Sequence, residues 1–434
     1  MRLLRRVRAA GRAAAAAREA SFYAESAAPE QVRAWQLAQL NLAWHRALVE
    51  IPAYSQLRAV RNLPERFSSL DEYAACMPVL ERNRLQDRAA PLWAAGAQFW
   101  RVTGGSTGEP VQIPAWRSEL ECSNADFTLA RRWYGVEPGD PLFLLWGQAQ
   151  RLGGGARGAA RRVQRAAQDR LLGHRRVSAY DVSPAAMTAA AVQLARSDAV
   201  AVIGYATALE AMARAALAAG LRFESGRLRA VIATAEAFRS DTARDDLLRA
   251  FGAPVAMEYG SVETGVIAHE RPGGGYQVFW RHHLLEGLPS KDVPGAWELL
   301  VTALYPRCTP LFRYRIGDLV AENPSAPEFE QRLSRVIGRC NDTVELPDGT
   351  RIHSEVFAHA LRALPELRQF QVVQRAHAPL ALEAVLAPGA AEPFARVRAE
   401  LARVHPKLAQ IECSAVAALP KTGGGKTVRV RRGA

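Results

Sequence analysis

The chain has 434 residues, of which 49% are hydrophobic and 23% charged, a globular balance that excludes a largely disordered or collagen-like polymer. Its formal net charge is +13, but the excess is confined to residues 1–18, 151–176 and 421–434 and the remainder is mildly acidic. A uniformly basic nucleic-acid binder is therefore not expected. The five scattered cysteines form no CxxC pair and fit a reduced cytoplasmic protein, and without a run of about 18 uncharged apolar residues no transmembrane helix is expected.

Residues 1–18 hold six arginines and no acid. They read as a helix with Leu3, Leu4, Val7 and Ala10 on one side, either an ordinary one or one that lies on a membrane surface or a partner, with an organellar transit peptide as a further alternative. Residues 20–95 read as helical, with breaks at Pro52, Pro64 and Pro78. A β-like piece at 98–103 enters a Gly-rich turn, an amphipathic helix is expected over 117–134, and PLFLLW (141–146) reads as a buried strand. The Arg-rich stretch 151–176 reads as a loop merging into a solvated helix.

A strand–helix rhythm follows: strands 199–205, 228–234 and 253–260, with helices 207–219 and 239–250 between them. That alternation predicts a parallel sheet covered by helices, and so an α/β protein. Residues 276–322 are β-rich. The last hundred residues read as a smaller α+β unit: strand 342–346, a turn at 347–349, helix 355–363, strands 368–374 and 380–386, helix 392–404 and a basic tail. The expected division is a large unit over 1–338 and a small one over 339–434, hinged near Gly338–Asn341.

Five short segments carry chemistry. In the first, Thr103, Gly104, Gly105, Ser106, Thr107 and Gly108 combine tight turns, exposed N–H groups and hydroxyls, so the loop can wrap phosphate oxygens; an ordinary Gly/Ser/Thr turn is the plain alternative. The last, Pro420 to Thr427, ends in GGGKT but is not a Walker A loop. Pro420 stands where that motif needs glycine, and no nucleotide-binding domain follows. Between them lie Tyr259-Gly260-Ser261-Val262-Glu263, Tyr314-Arg315-Ile316-Gly317-Asp318 and Gly338-Arg339-Cys340-Asn341-Asp342. Each alone reads as a turn, a cap or a solvated arginine; their order and separation carry the signal.

This set resembles the adenylate-forming (ANL) superfamily of acyl-CoA synthetases, peptide-synthetase adenylation domains and luciferases, and within it the phenylacetate–CoA ligase/CapK-like branch. IPAYSQL (51–57), MPVLERNRL (77–85), TAEAF (234–238) and LPDGTRIHSEVF (346–357) extend the likeness over most of the chain. The resemblance implies an ANL-type fold: a large N-terminal domain with helix-flanked sheets and a β-rich subdomain, and a small mobile C-terminal lid. It also implies a two-step ligase. A carboxylic acid and ATP give acyl-AMP and pyrophosphate, and the acyl group then passes to the thiol of CoA or of a carrier protein's phosphopantetheine. An amine or hydroxyl acceptor, or a non-catalytic nucleotide-binding protein, are the alternatives.

By the same resemblance, loop 103–108 would hold the ATP phosphates and Glu236 would sit beside the adenine pocket. Tyr259, followed by Gly260, would stack on adenine, and Glu263 would hold Mg²⁺. Asp318 would accept hydrogen bonds from the ribose hydroxyls, with Arg339 nearby, and Lys426 would reach the forming acyl-phosphate. The chemistry is coherent. Cations stabilise the charge that develops when a carboxylate attacks a phosphate, and a lysine in a mobile tail can enter for one half-reaction and leave for the next.

Several positions depart from the pattern. Val262 replaces a Thr or Ser, Asn341 the hinge Asp, Ile316 the Thr of the YRTGD motif, and Val111 a lysine. His269 lacks matching cysteines, so no zinc is expected. A small carboxylic acid is the expected ligand; residues 151–176 are either a solvated loop or a candidate site for the phosphates of CoA, an acyl carrier protein or an anionic membrane, and residues 1–18 are a candidate for membrane contact. Trp133, Tyr134, Trp146 and Tyr205 either line an acyl pocket or pack the core.

Overall fold

The computed structural model describes residues 2–23, 27–102, 111–146, 155–179, 181–238, 242–340, 343–346, 350–361, 364–375, 378–420 and 429–433. The loop Thr103–Gly108, Lys426 and Asn341 lie outside the described residues.

The first stretch is helical: α1 (Arg2–Tyr23), α2 (Pro29–Glu50), α3 (Pro52–Arg61) and α4 (Leu70–Cys76). Proline at the first turn starts α2 and α3, where its missing N–H costs nothing. Asn62 ends α3 in a left-handed conformation, and the Ser69 hydroxyl caps α4. On α2, Val32, Gln36, Leu40, Trp44 and Ala47 form one buried stripe. Trp44 meets Tyr54, Phe67 and Phe312 there, with ring centroids 5.5–6.0 Å apart. Helix α1 is anchored at its C-terminal half. Ala16 is fully buried, Tyr23 packs against Phe279 and Trp280, and Glu19 pairs with Arg281 at 2.9 Å.

Strands β1 (Phe99–Val102) and β2 (Gln112–Ala115) form a hairpin whose ends bracket residues 103–110, and α5 (Glu119–Arg132) follows. The centre is built from β3 (Leu142–Leu145), α6 (Gly155–Leu172), β4 (His174–Val177), α7 (Pro184–Ala195), β5 (Ala201–Tyr205), α8 (Ala206–Ala218), β6 (Ala230–Thr234), α9 (Ala243–Phe251) and β7 (Val255–Ser261). These strands are parallel in the order β4-β3-β5-β6-β7. Alternate residues serve two buried faces. Phe143, Val202, Val231 and Ala233 pack among α7, α8 and α9, while Leu142, Ile203, Ala230 and Ile232 serve the other face. The chain leaves β3 for β4 on one side and returns to β5 on the other. This is the switch point at which open α/β sheets bind ligands, beyond the carboxyl ends of the strands.

Beyond β7 come β8 (Gly265–Glu270), β9 (Tyr276–Val278), β10 (His283–Pro289), β11 (Trp297–Ala303), β12 (Tyr314–Val320), β13 (Arg332–Leu333) and β14 (Val336–Arg339). Strands β8, β9 and β13 extend the central sheet to eight, and β10-β11-β12-β14 make an antiparallel sheet. The C-terminal part has β15 (Thr343–Glu345), β16 (Arg351–His353), α10 (Ser354–Leu361), β17 (Leu367–Arg375), β18 (Ala381–Leu386), α11 (Phe394–Val404), β19 (Glu412–Ala415) and β20 (Val430–Gly433). Its sheet, ordered β19-β18-β17-β20, has its own core around Phe357, Val372, Leu382, Val397 and Leu401.

Three expectations change. Within 151–176 the helix is present as α6 from Gly155, but His174–Val177 is not its continuation; it is the edge strand of the central sheet. Charged side chains such as Arg175 and Arg176 are common on edge strands and hide them from a hydrophobicity pattern. The basic tail is likewise not all tail, because Val430–Gly433 pairs in parallel with β17. Helix α7, capped by Ser183, lies in an alanine-rich stretch to which the sequence pattern assigned no element.

Gly260 is required by packing. A Cβ there would lie 2.1 Å from the Gly265 carbonyl and 2.8 Å from Val266 Cα, both immobile backbone. Gly260→Ala is expected to cost about 2–3 kcal/mol. Gly295→Ala, at a positive φ with open space around it, is expected to cost about 1 kcal/mol. Urea denaturation midpoints check both, and an equal shift contradicts the packing argument.

Candidate active site

The carboxyl ends of the parallel strands carry the candidate residues. Tyr205 ends β5, Glu236 lies two residues past β6, and Tyr259 lies on β7 one residue beyond Glu258, the partner of Thr234. Ala235, between β6 and Glu236, has φ +69, so the chain turns sharply there. Glu236 Oε1 accepts the Thr207 backbone N–H at 3.1 Å and the Thr207 hydroxyl. Thr207 belongs to the first turn of α8, whose positive end favours a carboxylate. Glu236 Oε2 is buried and has no hydrogen-bond partner among the described residues. A buried acceptor of this kind suits an amino donor such as that of adenine.

A second group joins β7 to the antiparallel sheet. The Tyr259 hydroxyl donates to Asp318 Oδ2 at 2.9 Å, and Arg339 Nη1 lies 3.1 Å from Asp318 Oδ1. Asp318 and Arg339 are direct cross-strand partners on β12 and β14. Gly317, with φ +80, leaves room for the arginine; a Cβ there would approach Arg339 Nη2 to 3.2 Å. Burial pushes the Asp318 carboxyl above its ordinary range, opposed by the Arg339 guanidinium and the Tyr259 hydroxyl. The Asp318 charge raises Arg339 in turn, and burial keeps Tyr259 protonated as a donor.

Glu263 sits in the turn between β7 and β8. The Ser261 hydroxyl accepts the Thr264 N–H at 3.1 Å, and the Thr264 hydroxyl accepts the Ser261 N–H at 3.2 Å. The hydroxyls of this turn are thus spent on its own backbone, while Val262, which cannot hydrogen-bond, is exposed. Glu263 Oε1 accepts from Arg82 Nη1 at 2.7 Å and from the Tyr314 hydroxyl at 3.2 Å. Behind the turn, the Arg307 guanidinium donates to the carbonyls of Glu263 and Thr264. Arg307 also lies 3.8 Å from Glu119, which pairs with Arg101 at 2.9 Å and accepts the N–H groups of Trp116 and Cys308. The side chains of Arg307 and Glu119 are each 1% exposed.

Tyr259, Asp318 and Arg339 are therefore in contact, and Glu263 is near enough to influence both charges of that group. Glu236 lies on the same strand edge and is held by Thr207. Three contributors escape the motif reading. Arg82 lies in the MPVLERNRL segment but had no assigned role; the backbone of Leu80 in that segment bonds to Arg313 and Arg315 at 3.0 Å and delivers it. Tyr314 opens its motif unassigned. Arg307 has no sequence signal beyond an arginine beside a buried cysteine.

Of the aromatic candidates, Trp133 belongs to the core, stacked on Phe279 at 6.1 Å, and the Tyr134 hydroxyl bonds the Glu270 carbonyl. Trp146 and Tyr205 pair at 4.9 Å beyond β3 and β5, at the switch point. His269 is buried, bonded to the Glu270 carbonyl, and lowered by burial to about 4, so its ring is neutral. Among the described residues no cluster of three or more His, Cys, Asp or Glu side chains is arranged to hold a metal.

No family model matches the chain. Over 147 residues it is 33% identical to Protein CapK of Staphylococcus aureus; the match spans 33% of this chain and about a third of CapK's length, 32%. The fold is similar to that of 2-hydroxyisobutyryl-CoA ligase in its postadenylation state with an acyl-AMP, with TM-score 0.67, 16% identity and coverage of 92% of this chain and 89% of that one. It is also similar to ATP-bound MatB from Rhodopseudomonas palustris, with TM-score 0.53, 16% identity and coverage of 77% and 68%. The chain has the fold of these acyl-CoA ligases, and over a third of its length its sequence is similar to CapK.

Arg307→Gln leaves buried Glu119 with one cation fewer and two carbonyls without their donor. It is expected to destabilise by about 3–5 kcal/mol, against about 1 kcal/mol for Tyr314→Phe. Chemical denaturation checks the ranking, and equal losses contradict it.

Proposed function

We propose that the chain adenylates a small carboxylic acid with ATP and passes the acyl group to a thiol. The observation that carries this reading is the Tyr259–Asp318–Arg339 group beside Glu263, at the carboxyl edge of the parallel strands. An ionised Asp318 has two oxygens for two vicinal ribose hydroxyls, and Arg339 and Tyr259 hold it in place. Tyr259 presents a ring edge-fixed by its own hydroxyl bond, suited to an adenine face. Glu236 offers its unpaired oxygen to an amino group.

The acid's oxygen attacks the α-phosphorus and pyrophosphate leaves; a thiol then attacks the acyl carbon and AMP leaves. Mg²⁺ fits Glu263 on donor chemistry, since this ion commonly takes one or two carboxylates with substrate phosphates, and when bound it neutralises phosphate charge. Arg82 holds the same Glu263 oxygen and keeps the carboxylate compensated. Lys426 is assigned to the forming acyl-phosphate. In this reading the C-terminal unit swings about a hinge near Gly338–Asn341, where Arg339 is paired in β14 and the Cys340 N–H donates to Gly317 at 2.9 Å. A thiol acceptor is favoured because 2-hydroxyisobutyryl-CoA ligase, which shares the fold, is solved with 2-HIB-AMP and CoA.

ATP–pyrophosphate exchange with Mg²⁺ and a panel of aryl and short-chain acids tests the reading. Exchange dependent on one class of acid is expected. Tight ATP binding without exchange for any acid overturns it in favour of a non-catalytic nucleotide-binding protein. Asp318→Asn should weaken ATP binding roughly 10- to 100-fold. Because burial raises Asp318, wild-type affinity should fall as pH drops through a value above the ordinary aspartate range, and the Asn variant should lack that limb. Lys426→Ala should cut acyl-AMP formation by orders of magnitude and spare thiol transfer from preformed acyl-AMP. Val262→Thr should leave activity unchanged or higher.

A further inference from the structure

Helix α6 is oriented opposite to an ordinary surface helix. Its 18 residues, roughly 27 Å long, pack against the edge strand β4. The line turned to the protein is mostly polar, with half-buried Leu172 as its apolar member. Asp169 is buried and held by Arg176 at 3.1 and 3.2 Å, and Arg165 is half-buried one turn before it. The face turned to solvent is apolar. At 100° per residue, Ala159, Ala160, Val163, Ala166, Ala167 and Leu171 fall within one arc, and all six are exposed, Val163 at 70% and Leu171 at 49%. Arg170 lies within that arc, and Arg162 lies between the arc and the Asp169 line; both are exposed. The first basic segment meets the second here, since Arg12 of α1 lines the same cleft as Leu171 and Leu172.

We infer that the outward face of α6 docks the protein on an anionic lipid bilayer. An apolar strip flanked by arginines matches the boundary between acyl chains and negative headgroups, with the helix lying in the plane of the surface. A second copy of the chain is disfavoured as the occupant, because it would set one arginine cluster against another. An acidic protein would answer the charge but has no call for a strip of exposed Val, Leu and Ala along the helix. The docking stands apart from the ATP chemistry and is tested without it.

The experiment is co-sedimentation of the full chain with phosphatidylcholine vesicles, with and without phosphatidylglycerol. The wild type is expected to bind the anionic vesicles at least about tenfold more strongly than neutral ones at low salt, and to lose that preference in high salt. Val163→Glu with Leu171→Glu should reduce binding about tenfold or more while leaving the protein folded, since Val163 is 70% and Leu171 49% exposed. Arg162→Gln with Arg170→Gln should abolish the preference for anionic lipid, and Val163→Leu should retain binding. Equal binding of wild type to both vesicles overturns the inference. So does a Val163→Glu/Leu171→Glu variant that binds as wild type, which would leave the arginines of α1 as the attachment. Failure to bind vesicles alongside capture by an acidic carrier protein overturns it too.

Discussion

A buried and a half-buried arginine share one buried carboxylate. Arg101 comes from the hairpin that brackets residues 103–110, Arg307 from the link between β11 and β12, and Glu119 from the start of α5. Such a cluster gains little net stability over apolar packing, but it fails badly when one member is lost. Its value is geometric. Glu119 accepts two backbone N–H groups while facing both arginines, and Arg307 reaches past it to the carbonyls of Glu263 and Thr264. The strands around the Gly-rich segment and the turn bearing Glu263 are therefore fixed to one another through three side chains.

The central sheet supplies the rest of the geometry. Tyr205, Glu236 and Tyr259 reach one edge because three successive parallel strands end there. The antiparallel sheet brings Asp318 and Arg339 to Tyr259 through cross-strand register rather than through loops. Sites held by strand register keep their geometry when ligands leave, which suits a reaction in which ATP, an acid and a thiol come and go. In the proposed cycle, the conformational change belongs to the small C-terminal unit and the binding geometry to the sheets.

Much of this was legible in the sequence, for identifiable reasons. The runs AVAVIGY and LRAVIAT are short, apolar and separated by helix-length segments, so the parallel sheet follows from pattern alone. The motif residues Tyr259 and Asp318 lie far apart in sequence, yet their types already suit a ring and a pair of hydroxyls. Gly260 was legible as important but for a different reason, since the carbonyl of Gly265 excludes any side chain there. Edge strand β4 and closing strand β20 were not legible, because arginines interrupt their apolar pattern. Arg307 was invisible, because a buried arginine is defined by partners distant in sequence. The inverted polarity of α6 was equally hidden, since periodicity shows that a helix has two faces and not which one meets the protein.

The net charge of +13 divides along these lines, with arginines at the site balanced by carboxylates and the unbalanced excess gathered in the terminal segments and α6. The central claim is that a carboxylate oxygen of the substrate acid forms a bond to the α-phosphorus of ATP. The direct measurement is a single turnover with an acid labelled with heavy oxygen in its carboxylate, followed by mass spectrometry of the products after thiol transfer. The account predicts one labelled oxygen in AMP and none in pyrophosphate. Unlabelled AMP, or label in inorganic phosphate with release of ADP, would contradict it.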